Sequence, residues 1–383
     1  MTQSSEDERA LLELVRDFAA ERLVPRVPAD EEAGRFPREV FDELGRMDLL
    51  GLPFAQAHGG SGLSYASYLR VVEELSRAFL TVGIGLSVHT LATWAVATYG
   101  GDEVRRELLP EMTAGRMLGA YALSEPGSGS DAAGLVTRAV LEGDAYVVDG
   151  VKAWVTHAGH ADFYVLMCRT SQERTRGVSA LLVPAGTSGM SFPPPERKMG
   201  MRSSPTGQIV FERAKVPARN LLGAEGQGLS IALRALDGGR LGIAACSTGV
   251  AQAALDHAVA YALQRRQFGR AIGEFQGVAF ILADMAAGIE AARALWIQTA
   301  ELRDAGEPFG PYAAMAKLIA SDTAMRATTD AVQILGGYGY TTDYPVERLM
   351  REAKALQIVE GTNQVQRVVI ARALLTSRRR DGA

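Results

Sequence analysis

The residues best able to do chemistry lie near the carboxyl end of the chain, in the run Gln357-Ile358-Val359-Glu360-Gly361-Thr362-Asn363-Gln364-Val365-Gln366-Arg367. Glu360 follows two β-branched apolar residues and has no basic residue beside it in sequence. A site built there disfavours the charged form of the carboxyl and raises its pKa, which suits a general base. Gly361 has no Cβ, so its backbone can approach a ligand closely, while Thr362, Asn363 and Gln364 offer hydrogen-bonding groups at the start of a helix. The same residues make an ordinary helix cap, and taken alone they favour that role over catalysis.

Three further runs carry polar or aromatic groups in suggestive order: Tyr121-Ala122-Leu123-Ser124-Glu125-Pro126-Gly127-Ser128-Gly129-Ser130-Asp131, Trp154-Val155-Thr156, and Arg265-Arg266-Gln267-Phe268-Gly269-Arg270. Each has a plain reading: a turn, a core tryptophan in a strand, and basic residues compensating a helix end. Neither glycine cluster, Gly223 to Gly228 or Gly336 to Gly339, follows a strand as a dinucleotide-binding fingerprint does, and there is no phosphate-binding Walker loop. A redox cofactor must then be held by other means. His157 and His160 lack accompanying ligands, and the isolated Cys168 and Cys246 make neither a disulfide framework nor a zinc site, so no metal is expected.

Taken together, the runs ending in Glu360–Arg367 and beginning at Tyr121 resemble the carboxy-terminal signature and the first motif of the acyl-CoA dehydrogenase family, and the resemblance spans nearly the whole chain. It implies FAD lying between a β domain and the carboxy-terminal helices. By this likeness Tyr121, Leu123 and Ser124 contact the flavin ring, Ser124 keeping a hydroxyl where many relatives have threonine. Trp154 packs on the ring and Thr156 hydrogen-bonds near its N5. Arg265, in the segment that includes Phe268, matches a pyrophosphate position, where a guanidinium fork binds a diphosphate in bidentate fashion. Gln276, Gln333, Gly336 and Gly337 match positions that reach the cofactor, some of them that of a neighbouring subunit, which implies a homo-oligomer and, as in relatives, a tetramer. Thr362 and Gln364 join the cofactor set. Ser130, Asp237, Arg240 and Gly361 match substrate contacts.

Some relatives place the base on the helix that is expected to begin here at Gly239, and glycine cannot serve. Glu360 is then the base, and the chain is most similar to the short-chain, butyryl-CoA type. Val359 departs from the tyrosine that often precedes the glutamate, a change that bears on the width of the acyl pocket. The implied reaction is FAD-dependent α,β-dehydrogenation of an acyl-CoA thioester to the trans-2-enoyl-CoA, with Glu360 taking the α-proton, flavin N5 the β-hydride, and an electron-transferring flavoprotein as acceptor. The alternatives on the same scaffold are a flavin-dependent oxidase or hydroxylase and a dehydrogenase of acyl-carrier-protein thioesters. A catalytically silent helical scaffold or acyl-carrier-binding module is a third, which intact Glu360, Arg265 and Trp154 oppose.

The elements that must position these residues change period twice. Helical spacing (Leu11, Leu12, Val15, Phe18, Leu23) runs from Glu8 until Pro25 and Pro28, Pro37 opens a second helix, Ser64 caps a third, and Val82 to Ala97 reads as a buried fourth. From Leu118 the pattern is β-like, with strands at Gly119–Ser124, Thr137–Leu141, Ala145–Val148, Lys152–Thr156, Phe163–Arg169, Val178–Val183 and Gln208–Ala214, and turns at Glu142-Gly143-Asp144 and Asp149-Gly150. From Gly226 it is helical again. The expected fold is α+β, mainly α: a helical domain over 1–117, a central β domain over 118–222 and a four-helix-bundle domain over 223–383. Among 383 residues, 40 basic and 44 acidic side chains are interspersed with a net charge of −4, so there is no basic stripe for nucleic acid, and Arg378-Arg379-Arg380 reads as a solvated tail. The polar run Met1–Arg9 is no signal peptide and no run of eighteen apolar residues occurs, so a cytoplasmic protein off the membrane is expected.

Overall fold

The structure, a computed structural model, describes residues 6–381, without the side chains of 377–381; the expectations for Met1–Ser5 and for the Arg378–Arg380 run lie outside the described residues. Six helices come first: α1 (Glu6–Phe18), α2 (Val27–Ala33), α3 (Arg38–Arg46), α4 (Tyr65–Ala78), α5 (Leu80–Tyr99) and α6 (Asp102–Thr113). Pro25 and Pro28 do not end the first helical stretch as expected. A π turn at Ala19–Leu23 and a 3₁₀ turn at Val24–Arg26 lead directly into α2, where Pro28 sits in the first turn and its missing N–H costs no bond. Ser64 caps α4, its Oγ accepting from the Ser67 N–H at 3.0 Å. By length and composition α5 could cross a membrane, yet 89% of its apolar window is buried inside the protein. It is the core helix on which the amino-terminal helices, the sheet and the later bundle all converge.

One mixed sheet follows, of β1 (Gly119–Ala122), β2 (Arg138–Glu142), β3 (Ala145–Thr156), β4 (Phe163–Arg169), β5 (Val178–Pro184), β6 (Met190–Ser191), β7 (Thr206–Pro217) and β8 (Leu221–Leu222). The strand order is β6-β7-β3-β2-β4-β5-β8, with β1 parallel to β4. The turn expected at Asp149-Gly150 is instead a bulge inside one continuous strand, β3, whose register against β7 slips between Val148 and Gly150. Gly150 has φ 145°, and a Cβ there would lie 2.7 Å from Thr137 Cα. Turn residues also make bulges, because both need backbone that other side chains forbid.

The remaining chain is helical apart from a small hairpin, β9 (Arg266–Gln267) and β10 (Arg270–Ala271): α7 (Gly228–Gln264), α8 (Gln276–Asp304), α9 (Gly310–Leu335), α10 (Val346–Leu356) and α11 (Asn363–Asp381). The helix expected to begin at Gly239 begins at Gly228, so Gly238 and Gly239 lie within α7. One apolar core, from Leu12 in α1 to Leu356 in α10, is shared by the first helices and the bundle; a second joins α5 and α6 to one face of the sheet, and a third covers its other face. Glu360 lies in the link between α10 and α11, and Tyr121 lies within β1.

Candidate active site

Beyond α10 the chain makes a turn in which Glu360 (φ 55°) and Gly361 (φ 85°) are both left-handed. For a glutamate this costs about 1–3 kcal/mol, and buried donors hold it in place. Gln366 Nε2 donates to the carbonyls of Glu360 (3.2 Å) and Gly361 (2.7 Å), and Lys317 Nζ, from α9, donates to the Gly361 carbonyl at 3.0 Å. Thr362 Oγ1 accepts from the Val365 N–H at 3.2 Å and caps α11. Gln364 points to solvent on the same helix. The cap read from the sequence is therefore real, but it belongs to Thr362 and leaves the carboxylate free.

Glu360 as a whole is half-buried, yet its Oε2 is fully buried with no hydrogen-bond partner. Burial pushes the carboxyl up to about 7 against the opposing pull of Arg240 and Lys317. Along the chain Glu360 has no basic neighbour; in space two cations flank it. Opposite stands Gly239, where a Cβ would lie 2.7 Å from Oε2 and 3.0 Å from Cδ. The position where some relatives are expected to carry their base thus faces this carboxylate, and any side chain there would push the carboxylate aside.

On the next residue of α7, Arg240 is buried, donates from a terminal nitrogen to Asp237 Oδ1 at 2.6 Å, and has a buried Nε without a partner. Burial raises the Asp237 pKa against Arg240 and Arg234. Asp237 and Gly239 line a cavity of about 280 Å³ together with Tyr65, Ser87, Thr90 and Trp94. These four residues come from α4 and α5, and nothing in the sequence singled them out. Tyr65 is pinned by donating its hydroxyl to the Gly238 carbonyl at 3.0 Å.

The aromatic set gathers beside the sheet. Tyr121 has a buried hydroxyl with no partner, and burial, with the Glu360 charge adding to it, raises its pKa well above the ordinary value. Leu123 and Ser124 leave β1 on a loop clamped to β3: the Ser124 carbonyl accepts from the Ala153 N–H (2.8 Å) and the Leu123 carbonyl from Lys152 Nζ (2.9 Å). Buried Lys152 also pairs with Glu125 at 2.8 Å, and Glu125 accepts from the N–H groups of Val136 and Thr137. Lys152 and Glu125 were not foreseen; a lone lysine inside a strand pattern was the signal. Trp154, with φ 61°, holds its side chain 63% exposed, and Thr156 is half-buried at the strand end. An exposed indole on strained backbone, with the orphaned Tyr121 hydroxyl on the neighbouring element, fits a planar ring cofactor better than a closed core.

A second group forms a separate cleft of about 510 Å³, lined by Arg265, Gly336, Gly337 and Tyr338 and by none of Glu360, Tyr121 or Trp154. The Arg265 guanidinium lies 5.8 Å from the Tyr338 ring centroid. Phe268, at the tip of the β9–β10 hairpin, is 95% exposed with φ 52°. Gln276 and Gln333 are exposed on α8 and α9, and Ser130 is exposed on the loop after β1. Among the described residues no group of three His, Cys, Asp or Glu could hold a metal ion. His157 packs against Phe36 and Phe41 instead.

Three family models match the chain in series: acyl-CoA dehydrogenase, N-terminal domain, over residues 5–116; middle domain over 120–214; and C-terminal domain over 226–375. A short-chain-specific acyl-CoA dehydrogenase of Clostridium acetobutylicum is 43% identical over 367 residues, covering 95% of this chain and 97% of the relative. The solved butyryl-CoA dehydrogenase from Megasphaera elsdenii superposes with a TM-score of 0.96 at 41% identity, covering 98% of this chain and all (100%) of that one. A chain in the structure described as the electron transferring flavoprotein of Acidaminococcus fermentans matches with a TM-score of 0.96 at 44% identity, covering 98% of this chain and 99% of that one. Two further solved chains of this fold are complexes with FAD or FADH2. With all three domains matched in order and relatives aligned from end to end, the chain belongs to the acyl-CoA dehydrogenase family of FAD-dependent oxidoreductases.

Proposed function

We propose that this enzyme removes the α and β hydrogens of a short-chain acyl-CoA to give the trans-2-enoyl-CoA, with Glu360 as the α-proton base. The observation that carries this reading is the Glu360 carboxyl itself, unpartnered at Oε2, opposite Gly239 in the wall of a cavity, and poised near neutrality by burial. A base with a pKa close to ambient pH combines the correct protonation state with useful driving force. Because burial favours the neutral carboxylic acid, taking the proton relieves a cost instead of adding one. The α-hydrogen of a saturated thioester is a very weak acid in water, so the developing enolate oxygen needs donors; the Glu360 backbone N–H is the one we assign on this chain. Arg240 opposes the burial penalty and keeps enough of the carboxyl ionised.

The residues fit FAD by the exposed Trp154, the orphaned Tyr121 hydroxyl and the Arg265 fork. Bound there, FAD supplies the acceptor for the hydride leaving Cβ. Tyr121, Leu123, Ser124, Trp154 and Thr156 would hold its ring, and Arg265 with Gly336 and Gly337 would hold a pyrophosphate. Since Arg265 lines a cleft apart from the ring group, we assign it to the cofactor of a second copy, in a homotetramer whose contacts include the projecting Phe268. The likeness to the Acidaminococcus chain supports an electron-transferring flavoprotein as the electron acceptor.

The test is anaerobic flavin bleaching by butyryl-, octanoyl- and palmitoyl-CoA. Butyryl-CoA should bleach fastest; a flavoprotein reduced by none of the three would contradict the assignment.

A further inference from the structure

The turn that carries Glu360 rests on a buried polar cluster that the mechanism above does not use. Lys317 lies in α9 with its side chain 0% exposed, in a stretch where Ala313, Ala314, Ala316 and Ala320 are all buried. A buried ammonium is costly unless its donors are matched. Its Nζ donates to the Gly361 carbonyl at 3.0 Å and to Asn363 Oδ1 at 2.8 Å. Buried Asn363 donates in turn from Nδ2 to Ser321 Oγ (2.9 Å) and to Asp322 Oδ1 (2.7 Å), and Gln357 Nε2 donates to that same Asp322 oxygen at 2.7 Å. The residues before and after Glu360 are thus tied to α9 through one cluster.

The cluster also acts through charge. Lys317 and Arg240, from α9 and α7, both draw the Glu360 carboxyl toward ionisation. Lys317 itself is pushed down to about 7 by burial, with Glu360 and Asp322 opposing that fall and Arg240 adding to it. Tyr65 on α4, Tyr121 on β1 and Cys246 on α7 also sense the Glu360 charge, but all three are held neutral by burial. Among the described residues, the cations acting on the carboxyl are therefore Arg240, engaged with Asp237, and Lys317. A neutral donor could tie the Gly361 carbonyl; a buried lysine does that and brings a charge.

We propose that Lys317 is the positioning residue of Glu360: through Gly361 and Asn363 it fixes the left-handed turn, and the charge it brings to that turn favours the carboxylate form of Glu360. This rests on the base role proposed for Glu360. The test uses the FAD-loaded protein and two variants. Lys317→Gln keeps a donor for the Gly361 carbonyl and removes the charge; Lys317→Met removes both. Titration of the Glu360 carboxyl is read by infrared difference spectroscopy on protein labelled with carbon-13 glutamate, Glu360→Gln identifying the band. Flavin reduction by butyryl-CoA across pH and a thermal melt accompany it.

In both variants the Glu360 midpoint should rise by about one unit, and the rising limb of the reduction profile should move with it. Lys317→Met should also lose at least tenfold in reduction rate at every pH, whereas Lys317→Gln recovers most of the rate at high pH. Variants that melt lower but titrate and reduce with the wild-type pH dependence would make Lys317 a structural residue only, and loss of folded protein in both would count against the proposal equally. If Lys317→Met alone fails to fold, Lys317→Gln decides. Should the wild type be reduced by no acyl-CoA, the functional reading fails, while the carboxyl titration still tests the hold of Lys317 on Glu360.

Discussion

Gly239→Ala separates the geometry of the base from the stability of the fold. The methyl group would arrive 2.7 Å from Glu360 Oε2 and 3.0 Å from Cδ. Relief to an ordinary contact near about 3.4 Å requires the carboxylate to move by roughly 0.7 Å. Gly239 lies inside α7, where alanine is intrinsically better than glycine by about 1 kcal/mol, enough to offset much of the contact strain. The melting temperature should therefore change by only a few degrees. Catalysis should respond far more, since a displacement of about 1 Å from the reactive geometry costs on the order of 100-fold. Stopped-flow flavin bleaching by butyryl-CoA, beside a thermal melt of the same sample, reads both quantities. A folded variant bleaching within a factor of two of wild type would refute the placement of the reacting carbon between this carboxylate and the flavin.

Arg265→Ala should weaken FAD retention by about 2–3 kcal/mol, the value of a charged hydrogen-bonded contact, and loosen the assembly with it. Dialysis with sedimentation velocity checks both, and a stable flavin-bound monomer would contradict the shared site. Gly150→Ala should cost about 3 kcal/mol in denaturant unfolding, because its Cβ would meet Thr137 at a backbone angle that L residues avoid, while leaving the Glu360 titration alone. The rate of flavin reduction should rise with pH through about 7 as Glu360 loses its proton. Since the folded pKa is raised from 4.5 to about 7, the stability contributed by Glu360 is full below 4.5 and is lost as pH rises through about 7. The melting temperature of Glu360→Gln minus that of wild type should accordingly increase from mildly acidic to alkaline buffer, and a difference independent of pH would oppose the raised pKa.

Much of the site was legible because its chemistry is local in sequence. Glu360 with Gly361, the loop from Tyr121 to Asp131 and the Trp154 run are each a few contiguous residues, and the glycine at 239 already excluded a second base. What escaped was tertiary. Arg240, singled out by the resemblance, acts on Glu360 from α7, and Lys317, which nothing in the sequence singled out, from α9, so the apparent absence of a basic neighbour held along the chain and failed across it. Gln366 reads as one more polar residue of a helix start, and only the fold shows it buried beneath the turn. The fold errors share another cause: glycine and proline signal unusual backbone without saying which kind. Gly150 made a bulge where a turn was expected, Pro28 sits in the first turn of α2 where the end of the preceding helix was expected, and Gly238-Gly239 marked a close approach within α7 where a helix start was expected.

The most direct test of the account is flavin reduction by butyryl-CoA in Glu360→Gln. Glutamine keeps the volume and the hydrogen-bonding shape of glutamate but cannot take the α-proton. The variant should fold, retain FAD, bind the thioester and be reduced normally by dithionite, while substrate reduction falls by roughly 1,000-fold. Near-normal bleaching by butyryl-CoA would remove Glu360 from the proton transfer and contradict the central claim.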